Sequence, residues 1–228
     1  MSTLTNFDLH FLLKRMPVWL LELMKEHQEA FVVAGGYIRS IIPNEEVNDI
    51  DVFVSSEAKA KEYVMKLMES CPTSSRFDSK NACSIKKDGV YVQFIHRWVY
   101  KTPQEVVDSF DFTIAKAAIW FKDGKVQSVC HPDFYSDLAA KRLVYTSPIR
   151  NEDAGGSMLR VLKFYQRGYR IPLNSLGAVI ARLNTGVKGG LTFKTEDESR
   201  VATVLTGLLI EVDPHANSHQ HYLVTEEN

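Results

Sequence analysis

The sequence predicts an α+β protein, and three observations carry that prediction. Asn48-Asp49-Ile50-Asp51-Val52-Phe53-Val54 alternates polar and apolar residues, the period of a half-buried strand. Several other stretches repeat their apolar residues at helical spacing instead. The two kinds mix over roughly the first 130 residues and helical patterns dominate afterwards, which argues for α+β rather than regular β-α alternation. The change falls between Pro132 and Pro148. The expected division is a mixed part at residues 1–131, a helical lobe at 132–213 and a polar tail at 214–228.

The elements follow in order. Leu9 to Gln28 places Phe11, Leu12, Met16, Leu20, Leu23 and Met24 on one helical stripe, with Lys14, Arg15 and Lys25 between them. This predicts one amphipathic helix. Ala30–Ala34 is a short buried strand ending at Gly35-Gly36. Tyr37–Ile42 gives one or two helical turns stopped by Pro43, and a polar loop leads to the alternating strand at Asn48–Val54. Glu57–Ser70 is a second amphipathic helix, followed by a loop through Cys71-Pro72 and Ser74-Ser75. Ala82–Lys86 and Val90–Ile95 are strands joined at Lys87-Asp88-Gly89. Thr102-Pro103-Gln104-Glu105 starts a helix, with proline at its first position and acid in its first turn. Phe112–Phe121 is an apolar run, and Lys122-Asp123-Gly124-Lys125 turns it into Val126–Val129. Helical patterning resumes at Asp133 and is clearest at Ser157–Arg167.

The chain has 228 residues, 45% of them hydrophobic, enough apolar material for a sizeable core. Its 27 basic and 28 acidic side chains nearly cancel, so global charge selects neither for nor against nucleic acid; a local basic patch suffices for that. Cys71, Cys83 and Cys130 are odd in number and widely spaced. They read as reduced thiols of an intracellular protein, against a disulfide framework or a zinc site. The first residues lack the basic and apolar regions of a secretion signal, and no stretch approaches the ~20 apolar residues of a membrane span. The expectation is a soluble, cytoplasmic protein with no membrane partner.

The chemistry concentrates at Asp49 and Asp51. Aspartates at i and i+2 on a strand share a face, about 6.5–7 Å apart along the chain, so their carboxylates can converge on a metal pair. Magnesium takes hard oxygen ligands, commonly one or two carboxylates plus substrate phosphates. Two such ions stabilise the attacking and leaving oxygens of nucleotidyl transfer. The glycines Gly35 and Gly36 let the backbone approach a triphosphate and offer amide hydrogens to it. Arg39, one turn later, is placed to donate to phosphate. Each piece alone is common: an Asp-x-Asp strand is usually a solvated edge, and Gly-Gly usually a turn. The combination is rarer, a strand, Gly-Gly, Arg, then Asp-x-Asp on a second strand 13 residues after Gly36.

Gly35-Gly36-Tyr37-Ile38-Arg39 with Asn48-Asp49-Ile50-Asp51-Val52 resembles the signature of the DNA polymerase β-like nucleotidyltransferases. It is most similar to the branch of CCA-adding tRNA nucleotidyltransferases and bacterial poly(A) polymerases. Asp111-Phe112-Thr113-Ile114-Ala115 with Ala117-Ala118 resembles that branch's Asp-Phe-Thr-Ile-Asn-Ala segment. His131-Pro132-Asp133-Phe134 through Asp137-Leu138 and Leu143 is similar to the exit from its catalytic head. Leu159–Phe164 with Gly168–Ile171 looks like its neck helix. The resemblance spans Phe31 to Ile171 in the right order. It implies a polymerase β-like head, a mixed sheet flanked by helices, followed by a small helical neck lobe. It also implies roles: Asp49 and Asp51 as catalytic magnesium or manganese ligands, and Gly35, Gly36 and Arg39 on the triphosphate. Asp111 would approach the ribose, and Arg160 and Lys163 the nucleotide.

Four departures accompany the resemblance. Arg39 is followed by Ser40, where the family has Asp. Ser109-Phe110 stands where two arginines are expected, and the third acidic position falls on Gln93. A neutral amide binds magnesium more weakly than a carboxylate and cannot take a proton. Asp111 or Asp108 substitutes for it, two carboxylates suffice, or catalysis is impaired. In the neck, Glu152-Asp153 lies seven residues before Arg160, which breaks the family's spacing.

The implied activity is transfer of a nucleoside monophosphate from a triphosphate to an acceptor hydroxyl, foremost an RNA 3′ end and tRNA in particular. About 60 residues follow the neck-like segment, which favours a smaller acceptor than a whole CCA-adding reaction needs. The alternatives are a non-catalytic nucleotide- or RNA-binding module on the same fold, or transfer to a protein or small molecule.

Two further features stay open. Arg160, Lys163, Arg167 and Arg170 make either a solvated helix face or a nucleotide or RNA contact, with the match at Arg160 favouring the contact. His215, His219 and His221 form a cluster of metal-ligand type in a polar tail, where plain solvation is the commoner outcome.

Overall fold

The computed structural model describes residues 2–69, 74–146 and 154–188. Cys71-Pro72, Glu152-Asp153 and the histidine-rich tail lie outside the described residues. Two compact units divide the chain, Met1–Ala140 and Lys141–Asn228.

The first unit opens with two helices, α1 (Asn6–Arg15) and α2 (Val18–Glu26), where periodicity alone predicts one. Pro17 is the reason. It lacks an N–H and forces the preceding residue out of the helical region, and Met16 is extended at ψ 139°. The apolar stripe continues across the break because α2 restarts on the Pro17 carbonyl, which accepts from the Leu20 and Leu21 amides.

β1 (Val32–Ala34), α3 (Gly36–Ile41), β2 (Ile50–Phe53) and α4 (Glu57–Glu69) follow as the sequence predicts. β3 (Ser75–Asp78) takes the place of part of an expected loop. β4 (Ala82–Lys87) and β5 (Val90–Ile95) form a hairpin. Then come α5 (Pro103–Asp108), a 3-10 turn at Thr113–Ala115, the hairpin β6 (Ala117–Lys122) and β7 (Lys125–Cys130), and α6 (Phe134–Ala139). Both hairpin turns are of the type that needs two positive φ angles: Asp88 and Gly89 at 52° and 79°, Asp123 and Gly124 at 50° and 72°.

The seven strands form one mixed sheet in the order β3-β4-β5-β2-β1-β6-β7. Only β2 and β5 are parallel neighbours; the other pairs are antiparallel. Alternation along each strand separates two cores. On one face, Val32, Ala34, Phe53, Ala118 and Val129 bury against Val106 and Val107 of α5. On the other, Tyr63 of α4 packs edge-on to Phe31 at 4.5 Å, and Phe31 in turn meets Phe94 at 6.0 Å.

Helix α6, which the sequence reading assigns to the neck-like lobe, belongs to the first unit. Asp137, 1% exposed, accepts from Thr113 Oγ1 at 2.6 Å and so ties α6 to the 3-10 turn. The chain start is held to the same region. Tyr135 donates to Asp8 Oδ2 at 2.6 Å and accepts from the Thr5 amide at 3.0 Å. The second unit is helical, with α7 (Ala154–Gln166) and α8 (Leu173–Lys188), and a parallel bridge joins Arg142 to Arg170.

Candidate active site

Sheet register brings the chemistry-bearing residues of the first unit to one end of the sheet. β1 and β2 are antiparallel, with Val32 opposite Phe53 and Val33 opposite Val52. The C-terminal end of β1, where Gly35-Gly36 begins, therefore lies beside the N-terminal end of β2, where Asp49 and Asp51 stand. β5 runs parallel to β2 and places Gln93 opposite Asp51. On the other side of β1, Ala34 pairs with Ala118, and the Gly35 amide donates to the Ala117 carbonyl at 3.2 Å.

Asp51 shares a face with Phe53, the face covered by α5. Gln93 shares it with Ile95. Asp49 joins them through a hydrogen bond, Gln93 Nε2 donating to Asp49 Oδ2 at 2.8 Å. The residue at the expected third acidic position thus stands beside both aspartates and contributes a donor. Asp49 and Asp51 are half-buried carboxylates, the type of ligand magnesium takes from a protein, one or two of them completed by substrate phosphates and water. Among the described residues, no group of three or more His, Cys, Asp or Glu is arranged to hold a metal. The residues that could hold it are Asp49 and Asp51.

Gly35 is required for two reasons. Its φ is +74°, a conformation costly for a residue with a Cβ, and a Cβ there would lie 3.0 Å from two ring carbons of Phe110. Phe110 fills one of the positions where arginine is expected. It stacks edge-on to Phe53 at 6.0 Å and closes over the glycine turn as an apolar wall. Arg39, half-buried on α3, donates from Nη2 to Ser40 Oγ at 3.0 Å, and a Cβ at Gly36 would lie 3.9 Å from that same nitrogen. Beneath the turn, Tyr37 donates to the Leu12 carbonyl at 2.7 Å, and burial pushes its phenol well above the usual range.

Asp111 directly follows Phe110 and is buried, 4% exposed. Asp108, the other acidic alternative, is exposed and accepts from Gln104 Nε2 at 3.0 Å, an intrahelical contact that faces solvent. Arg160 and Lys163 are on α7 in the second unit, three positions apart and so neighbours on one helix face. Arg160 is half-buried and Lys163 exposed.

Sequence reasoning passed over Lys116, which is 5% exposed and donates from Nζ to the Asp108 carbonyl at 3.1 Å. Its signal was present: a lysine inside the apolar run Phe112–Phe121, at a position that must be buried. A buried ammonium needs a partner close by. The link from Thr113 to Asp137 was likewise unread, because it joins residues 24 apart in sequence.

Residues 10–141 match a family model described as "Gabija anti-defense 2 family protein". "Gabija anti-defense 2" of Bacillus phage SPbetaL7 is 28% identical over 155 residues, which are 67% of this chain and 36% of that protein. Among solved structures, the Thermotoga maritima CCA-adding enzyme complexed with tRNA matches with a TM-score of 0.59 at 18% identity. The match covers 94% of this chain and 57% of that one. A tRNA nucleotidyltransferase complexed with a primer tRNA and an incoming ATP analog also has a TM-score of 0.59, at 19% identity, covering 89% of this chain and 57% of its own. At these identities the likeness gives the fold: a mixed sheet with flanking helices of the nucleotidyltransferase type. The chain spans about a third of the phage protein's length and little over half of each enzyme's. The family match takes in all seven strands of the sheet and more than half of the chain, which belongs to the Gabija anti-defense 2 family.

Proposed function

We propose that this chain is a metal-dependent nucleotidyltransferase, moving a nucleoside monophosphate from a triphosphate to an acceptor hydroxyl and releasing pyrophosphate. The observation that carries the reading is the convergence of Asp49, Asp51, the Gly35-Gly36 turn and the Phe110-Asp111 segment at one end of the sheet. Asp49 and Asp51 would hold magnesium or manganese, which supplies positive charge to the phosphate being transferred. Gly35, Gly36 and Arg39 bind the triphosphate by backbone approach and by a charged donor. Asp111, which directly follows Phe110, takes the ribose. Arg160 and Lys163 serve the base or the acceptor.

In the reaction an acceptor oxygen bonds to the α-phosphorus, the bond from it to the bridging oxygen breaks, and pyrophosphate leaves. Gln93 cannot accept the hydroxyl proton, so that task falls to an aspartate of the site or to water. The acceptor class is an RNA 3′ end, tRNA foremost. The name of the phage relative extends the proposal to purpose: transfer by this chain counters the Gabija defence. Labelled ribonucleoside triphosphates, offered with magnesium or manganese to RNA and protein acceptors, test it. Label on RNA that depends on Asp49 and Asp51 supports the reading. Label on protein moves the acceptor class, and no label with any acceptor contradicts transfer.

A second reading is favoured by one contact. Gln93 gives Asp49 a neutral hydrogen-bond donor where a third carboxylate is expected, which suits a module that binds nucleotide or RNA without turnover. Triphosphate binding without pyrophosphate release would select it.

A further inference from the structure

The C-terminal end of α5 is closed group by group. The Glu105 carbonyl accepts from the Ser109 amide at 3.1 Å, and the Val106 carbonyl from Ser109 Oγ at 2.6 Å. The Val107 carbonyl accepts from the Phe110 amide at 3.3 Å. The Asp108 carbonyl accepts from Lys116 Nζ at 3.1 Å. Lys116 comes from beyond the 3-10 turn, eight residues along, and its side chain is almost wholly buried. A buried ammonium is costly unless well partnered, and the carbonyl end of a helix is a favourable place for a cation.

The contact spans the two ends of the segment that forms the site wall. Between Asp108 and Lys116 lie Ser109, Phe110, Asp111 and the 3-10 turn. Phe110 is the ring against Gly35, and Asp111 is the buried carboxylate next to it. Lys116 is followed by Ala117, whose carbonyl receives the Gly35 amide. One cation therefore closes a loop that holds the wall and the glycine turn at a fixed spacing.

We infer that Lys116 is a positioning residue for the nucleotide site: its ammonium clasps the Asp108 carbonyl and fixes Phe110 over Gly35, with Asp111 beside it. This deepens the transferase reading and rests on it for its effect on nucleotide, though not for the clasp. Lys116 does not touch substrate in this role; its ammonium donates to the Asp108 carbonyl.

Three variants test it: Lys116→Met, which fills the space without a donor; Lys116→Gln, which keeps a neutral donor; and Lys116→Arg, which keeps charge and donor. Hydrogen exchange of the Ser109 and Phe110 amides, without nucleotide, reads the clasp. Steady-state kinetics with magnesium and ATP read its consequence. In Lys116→Met these amides exchange faster while protection of the β6–β7 hairpin is unchanged. KM for ATP rises about tenfold with kcat within about twofold. Lys116→Arg restores both readouts, and Lys116→Gln falls between. Unchanged exchange at Ser109 and Phe110, or faster exchange with unchanged KM, overturns the proposal. So does a rise in KM that Lys116→Arg fails to reverse. If Lys116→Met does not fold, the comparison of Gln and Arg variants decides by the same criteria. If the parent protein neither binds nor turns over any of the four ribonucleoside triphosphates, the transferase reading falls, and amide exchange still decides the clasp; if it uses one other than ATP, that one replaces ATP in the kinetics.

Discussion

Gln93 donates its side-chain amide to Asp49 Oδ2 at 2.8 Å and lies level with Asp51 on the adjacent parallel strand. Gln93→Glu would put three carboxylates together, which repel one another without metal and bind it more tightly when it is present. The expected result is a lower melting temperature in chelator, recovered by magnesium. The magnesium concentration giving half-maximal transfer should fall by about tenfold, roughly 1.4 kcal/mol. A magnesium titration of parent and variant checks this; identical curves would show that Gln93 does not border the metal site.

Gly35→Ala should destabilise the protein by about 1–3 kcal/mol, from its positive φ and from the approach to Phe110. Phe110→Ala in the same chain removes the steric part and leaves the backbone part. Denaturant melts of the two single variants and the double variant measure the coupling. Strict additivity would mean that the ring does not press on the turn.

Tyr135 holds the chain start, and burial, together with its hydrogen bond to Asp8, pushes its phenol up to about 12. An unfolded tyrosine titrates near 10. The folded state therefore retains a proton that the unfolded state releases. The associated stability is complete below pH 10, declines from 10 to 12 and is gone above that. Tyr135→Phe should cost about 1–2 kcal/mol at pH 7 and make the loss of stability between pH 10 and 12 shallower. Melts at stepped pH test it; parallel curves for parent and variant would assign the alkaline loss elsewhere.

Thr113→Val removes the 2.6 Å donor to the buried carboxylate of Asp137 and should cost about 1.5–3 kcal/mol. Hydrogen exchange should rise first in α6 and the 3-10 turn, the two segments the bond joins.

Much of this architecture was legible because local chemistry dictated it. Asp88-Gly89 and Asp123-Gly124 supply the positive φ pairs that two-residue hairpins need. Asp51 and Gln93 could be matched by position because each sits in a strand of apolar alternation. Pro17 split the first helix although its apolar stripe reads as continuous, since Met16 had to leave the helical region. β3 escaped notice because it is an edge strand with no buried face: Phe77 is 64% exposed, and Arg76 pairs with Asp78. The wall of the candidate site was illegible for another reason. Phe110 against Gly35, Lys116 on the Asp108 carbonyl and Thr113 on Asp137 are tertiary contacts that no periodicity announces. Replacing a charged position by Phe110 read only as a loss, until its ring proved to be what packs over the turn.

Transfer of labelled nucleoside monophosphate from the four ribonucleoside triphosphates, with magnesium, by the parent chain and by Asp49→Ala/Asp51→Ala is the most direct test. The expected result is label on an RNA acceptor with pyrophosphate released in equal amount. In the double variant transfer falls at least about a thousandfold, while its melting temperature in chelator stays within a few degrees of the parent. Equal labelling by parent and variant, or none by either under magnesium or manganese, would contradict the assignment of Asp49 and Asp51 as the metal-holding pair of a nucleotidyltransferase.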